Sequence, residues 1–137
     1  MLIQKCRFFV VLISISFTSI VLAQHTIDVK TILPDKDYDN IFVKKLYADT
    51  NTTSFMIWVK SEVKSHKHLT HTENIHIIEG TGKMTVGKET FLVKPDDFFV
   101  IPQNTFHSVK VTSIIPLKLI SIQSPIFNGE DRIFEEK

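Results

Sequence analysis

The chain has 137 residues, enough for one compact domain and no more. Its 43% hydrophobic and 23% charged residues are those of an ordinary globular protein. The formal net charge is +1, and setting aside Lys5 and Arg7 leaves 14 basic against 15 acidic residues. No field of either sign is large enough to draw nucleic acid or an anionic membrane surface.

Lys5 and Arg7 precede an apolar run from Phe8 to Val21, and Val21-Leu22-Ala23 puts small residues three and one positions before a cleavage point. The run is shorter than the roughly 20 residues of a membrane-spanning helix. Residues 1–23 are therefore read as a signal peptide, and the mature protein as exported (periplasmic or secreted) with no membrane attachment after cleavage. Cys6, the only cysteine, leaves with that segment. The mature chain then has no disulfide, no thiolate ligand and no cysteine nucleophile.

Residues 24–40 form an N-terminal arm. Pro34-Asp35-Lys36-Asp37-Tyr38-Asp39-Asn40 is rich in turn formers and predicts an exposed arm or a loose edge. From Ile41 the pattern is β throughout. Strands are predicted over 41–47, 54–60, 63–68, 73–79, 83–86, 90–93, 98–101, 107–112 and 117–123, separated by Gly80-Thr81-Gly82, Gly87-Lys88 and Lys94-Pro95-Asp96-Asp97. Many short strands between turn signals predict one all-β sandwich or barrel over 41–125, with a C-terminal tail at 126–137.

One stretch carries most of the chemistry. His66 and His68 stand two apart, which places both imidazoles on one face of a strand. Glu73 opens the next strand, so two imidazoles and a carboxylate can converge on one cation. Downstream, Pro102-Gln103-Asn104-Thr105 is turn chemistry leading to His107. His107 shares a face with Val109 and Val111, and an imidazole among apolar neighbours needs a partner. A metal ion supplies one. By contrast, His71 falls in the break between strands and reads as a rim residue, while His76 has the parity opposite to Glu73 and faces outward. Lys64 shares the parity of His66 and His68 if that strand is unbroken. It then sits at a cavity mouth to attract an anion, or is a solvated lysine near a strand end. Trp58, Phe98, Phe99 and Phe106 are cavity wall or plain core.

These stretches resemble the two signature motifs of the cupin superfamily. The first, G-x5-H-x-H-x(3,4)-E-x6-G, is met by His66, His68, Glu73 and Gly80, with Lys60 in place of the leading glycine. The second, G-x5-P-x-G-x2-H-x3-N, is met by Pro102 and His107. Asp96 and Asn104 stand where its glycines are expected, and Val111 where its asparagine is. Asn tolerates the left-handed backbone that Gly normally supplies. Ser124-Pro125-Ile126-Phe127-Asn128-Gly129-Glu130-Asp131 resembles the tail of small single-domain cupins, which runs across the sandwich or packs on a partner subunit.

The resemblance implies a cupin-type jelly roll with His66, His68, Glu73 and His107 holding one divalent transition metal: Fe, Mn, Ni, Cu or Zn. Four protein ligands leave an octahedral ion two positions for water, oxygen or substrate. It also implies a homodimer formed through exposed strand edges. Two functions remain open: a metal-dependent oxygenase or isomerase of a small polar molecule, and a non-catalytic protein that binds metal or a small ligand. No catalytic residue is identified beyond the ligands.

Overall fold

The computed structural model describes residues 26–127 and 129–136. The expected signal segment lies outside these residues. Among them there are ten strands and no helix. They are β1 (Ile41–Ala48), β2 (Thr53–Val59), β3 (Glu62–His68), β4 (Thr72–Glu79), β5 (Gly82–Val86), β6 (Glu89–Val93), β7 (Phe98–Ile101), β8 (His107–Val111), β9 (Leu117–Ser124) and β10 (Arg132–Phe134). Two antiparallel five-stranded sheets form, ordered β1-β2-β9-β4-β7 and β10-β3-β8-β5-β6. The result is the all-β, single-domain jelly roll.

Strict alternation builds the core. Ile57 and Val59 of β2, Ile75 and Ile77 of β4 and Leu117 and Leu119 of β9 face inward from the first sheet. Met84, Val93 and Val109 meet them from the second. Burying one such side chain contributes about 1.5–3 kcal/mol, so this inward stripe is the main source of stability.

Two places break the alternation. In β3 the pairing with β8 shifts between Val63, opposite Val109, and His66, opposite His107. One extra residue is accommodated there, a β-bulge. Val63 and His66 therefore both face inward, although their numbers differ in parity. Lys64 does not share the face of His66 and His68; it is exposed, and its carbonyl turns to the His66 ring. Of the two readings of Lys64, the solvated lysine near a strand end holds, and the inward one, which required an unbroken strand, does not. In β4 a second shift between Ile77 and Glu79 brings Glu79 beside Lys118.

The arm at 26–40 is mostly exposed, yet it is tied to the outer face of the first sheet. Lys118 is 2% exposed there; its ammonium donates to the carbonyl of Lys30 at 2.8 Å and to Glu79 Oε1 at 3.2 Å. Asn40 accepts from Ser61 N–H at 2.9 Å and donates to the carbonyl of Glu62 at 2.8 Å, organising the β2–β3 turn. The tail returns to the second sheet as β10, pairing Arg132 with His68, Ile133 with Lys67 and Phe134 with His66.

Asp96 and Asn104 have φ of 73° and 56°. Both occupy the left-handed region that favours glycine, which explains why the motif resembled in sequence carries glycine at these positions. Asn104 N–H donates to the carbonyl of His68 at 2.6 Å, so this turn fixes the end of β3.

Candidate metal centre

His66 and His68 come from β3, Glu73 from β4 and His107 from β8, at one end of the space between the sheets. All four are buried, with 3–6% of their surface exposed. One nitrogen from each imidazole lies within 4.8 Å of the others. Glu73 Oε2 stands 3.4 Å from His107 Nε2 and 4.0 Å from His68 Nε2.

Backbone carbonyls decide which nitrogen of each ring faces the centre. His66 Nδ1 bonds the carbonyl of Lys64 at 2.8 Å, His68 Nδ1 that of Asp131 at 2.9 Å, and His107 Nδ1 that of Thr105 at 3.0 Å. A carbonyl only accepts, so each Nδ1 carries the proton and each Nε2 presents a lone pair. His68 Nε2 is buried with no hydrogen-bond partner among the described residues. Glu73 is divided in the same way. Its Oε1 accepts from Ser121 Oγ and from Gln123 Nε2, the latter at 3.1 Å, leaving Oε2 turned toward the histidines.

The electrostatics agree with this division. Burial pushes the Glu73 carboxyl up, but the neighbouring His107 and hydrogen bonds from Ser121 and Gln123 outweigh it and bring the group down to about 2. Burial holds His66 down to about 4, helped by the neighbouring His107 and Arg132. Burial likewise lowers His68. Three imidazoles and one carboxylate, with an orphaned nitrogen among them, fit a divalent first-row ion.

His71 is not at the rim. It is 1% exposed, its ring 4.2 Å from that of His68 and 5.2 Å from that of Phe127. Its Nδ1 lies 3.0 Å from Asp131 Oδ2. The tail covers it, which the position of His71 in a strand break could not indicate. The Asp131 carboxylate also accepts from Leu69 N–H at 2.6 Å, Thr70 N–H at 2.9 Å and Thr70 Oγ1 at 2.6 Å. Burial opposes its ionisation, yet these donors and His71 bring it down to about 2. His76 lies on the face of β4 opposite to Glu73 and away from the centre.

Beside the centre, between the sheets, is a cavity of about 90 Å³. Of the four aromatics considered from sequence, only Phe99 lines it. Trp58 packs on the outer face against Phe42, with Lys118 5.8 Å above its ring. Phe98 is exposed, and Phe106 lies beneath Lys67 at 4.9 Å.

The cupin domain family matches residues 54–123, from β2 to β9. The chain belongs to the cupin family. This cupin is 38% identical over 73 residues to an uncharacterized protein of Methanocaldococcus jannaschii, covering 53% of this chain and 58% of that one. It is 36% identical over 74 residues to the mannose-1-phosphate guanylyltransferase RfbM of Salmonella typhimurium, covering 54% of this chain and 15% of that one. The match thus spans less than two thirds of either relative. Among solved structures, a double-stranded β-helix protein of Klebsiella pneumoniae superposes with a TM-score of 0.68 at 14% identity, covering 83% of this chain and 99% of that one.

Three residues of this cupin's site were not singled out from sequence: Ser121, Gln123 and Asp131. For the first two a signal existed. They continue the inward face of β9 beyond Leu117 and Leu119, and a polar pair on a buried stripe needs a polar partner.

Proposed function

We propose that this protein is an exported cupin that binds one divalent transition metal through His66, His68, Glu73 and His107. The ion would serve a reaction on a small molecule held between the sheets, of the oxygenase or isomerase class. The observation that carries this reading is the convergence of three carbonyl-oriented imidazoles on one another, two of them beside Glu73 Oε2. When bound, the ion would act as a Lewis acid toward a ligand oxygen. The chain's own residues prepare for it. The three carbonyls fix the rings, Ser121 and Gln123 turn one carboxylate oxygen away, and the apolar walls exclude water.

A second reading, non-catalytic binding of metal or a small ligand, is favoured by one observation. The other titratable pair of the site, His71 and Asp131, packs behind His68 and does not line the cavity. Among the described residues, no general acid or base other than the ligand residues themselves therefore stands on the wall.

Metal analysis of protein purified without oxygen tests the first step. One ion per chain is expected in the wild type, with stoichiometric metal lost in His66→Ala and His107→Ala while each variant stays folded by circular dichroism. His76→Ala should keep its metal. Loss in His76→Ala with retention in His107→Ala would overturn the ligand assignment. Oxygen-uptake and isomerase screening of the loaded protein then separates the enzyme from the binding protein.

A further inference from the structure

The cavity has one chemistry along its walls and another at its mouth. Around the metal centre and deeper in, fourteen of its twenty lining residues are aliphatic, methionine or phenylalanine. Its polar lining comes from His66, Glu73, His107, Ser108, Gln123 and Arg132. Within that set, Glu73 is held by Ser121 and Gln123, and the Nδ1 atoms of both histidines are already bonded to carbonyls. Gln123 Oε1, buried with no hydrogen-bond partner among the described residues, is one acceptor left over. With the ring nitrogens and Glu73 Oε2 given to the ion, the many hydroxyls of a sugar would go largely unpaired in the interior.

Arg132 is the exception. It lies directly across the ladder from His68, so its side chain leaves β10 on the inward face, beside the centre. Its charge is felt at His66. It lines both the inner cavity and an adjoining recess walled by Val43, Phe55, Ile57 and Phe127. It forms no ion pair among the described residues. The neighbouring Asp131 is committed to the loop at 69–71.

We propose that the cavity binds a small organic carboxylate with a compact apolar body, the carboxylate held by Arg132 at the mouth and the body packed between the sheets. The planar guanidinium fork matches a carboxylate with two parallel hydrogen bonds, an arrangement that lysine cannot reproduce. The body is short. A cavity of about 90 Å³, set against the roughly 10–15 Å³ that one water-sized sphere occupies, has room for several heavy atoms and no more. The ligand is thus polar at one end only, a narrower class than the small polar molecule expected from sequence. The proposal deepens the metal reading, since such a carboxylate reaches the same centre, but its anchor is independent of the ion.

Calorimetric titration with 3-methylbutanoate tests it, run on metal-loaded and on metal-stripped protein. Binding is expected to weaken by at least about tenfold for acetate, which lacks the apolar body. A similar loss is expected for 3-methylbutanamide, which lacks the charge, and for glucuronate, which carries hydroxyls. Arg132→Gln should weaken 3-methylbutanoate about tenfold or more, with Arg132→Lys restoring only part, and metal content should be unchanged in both variants. Binding to the stripped protein that still depends on Arg132, with no metal taken up by the wild type, would support the carboxylate site and sink the metal reading. Glucuronate or inorganic phosphate binding as tightly as 3-methylbutanoate would overturn the proposal. So would an Arg132→Gln variant of undiminished affinity, or no binding in either form of the protein.

Discussion

Gly80 shows how a single motif position is enforced by space. Its φ is +77°, and a Cβ there would stand 2.6 Å from the carbonyl oxygen of Pro116 and 3.0 Å from Leu117 Cα. The left-handed backbone alone costs an ordinary residue about 1–2 kcal/mol, and the clash is with backbone that has nowhere to go. Gly80→Ala should lose about 3 kcal/mol or more in denaturant unfolding. Asn104→Gly should change stability by less than about 1 kcal/mol, because Asn already tolerates this conformation. The site carries a pH signature of its own. In the metal-free protein His66 takes up its proton near pH 4, against 6.5 for a free imidazole, and Glu73 near 2 against 4.5 for a free carboxyl. The unfolded chain therefore binds protons at higher pH than the folded one in both cases. Stability should be fully present above about pH 6.5, then fall through the His66 window and again through that of Glu73. Thermal melts of metal-free protein between pH 7 and pH 3 check this; a melting temperature that held or rose on acidification would contradict it.

At the scale of elements, the sequence was most informative where alternation was strict. Ile75 and Ile77, or Val109 and His107, declare their common face by spacing alone, so nine strands and the convergence of the four expected ligands could be read before any coordinates. The bulge in β3 could not. It leaves no mark in composition, and it decides between the two readings of Lys64. Nor could β10, three residues long and exposed throughout, whose place depends on pairing with β3 more than sixty residues earlier. His71 was misjudged for the same reason, since its cover comes from Phe127 and Asp131. The tail's grip can be tested through Asp131. Its carboxylate accepts from three donors and stands beside His71 Nδ1, and its carbonyl orients His68. In Asp131→Ala the exposed Leu69 and Thr70 donors turn to water, while buried His71 loses its partner, at about 1–3 kcal/mol. The variant should unfold at lower denaturant concentration; the backbone carbonyl that bonds His68 survives the substitution, so metal affinity should fall by less than about tenfold.

For the whole molecule, the open questions are where it works and in how many copies. Export motivated by Lys5, Arg7 and Val21-Leu22-Ala23 predicts a mature N-terminus at Gln24, read by sequencing the exported protein. An intact Met1 in the membrane fraction would replace this with an anchor. The outer strand β1 leaves Ile41, Val43 and Tyr47 42–56% exposed, the kind of edge that pairs with a second copy. Sedimentation at micromolar concentration should give the mass of a dimer. The arm that precedes β1 bears on how such a protein can change over time. Lys118 is buried beneath it and finishes its hydrogen bonding on the carbonyl of Lys30, an atom every amino acid possesses. Side chains along that segment can thus drift with little penalty, while deleting it would take away an acceptor and the cover of the Lys118 ammonium, leaving it to Glu79 and water. Sequence divergence and loss of the segment are therefore opposite kinds of event here: the path of the arm is constrained and its spelling is not.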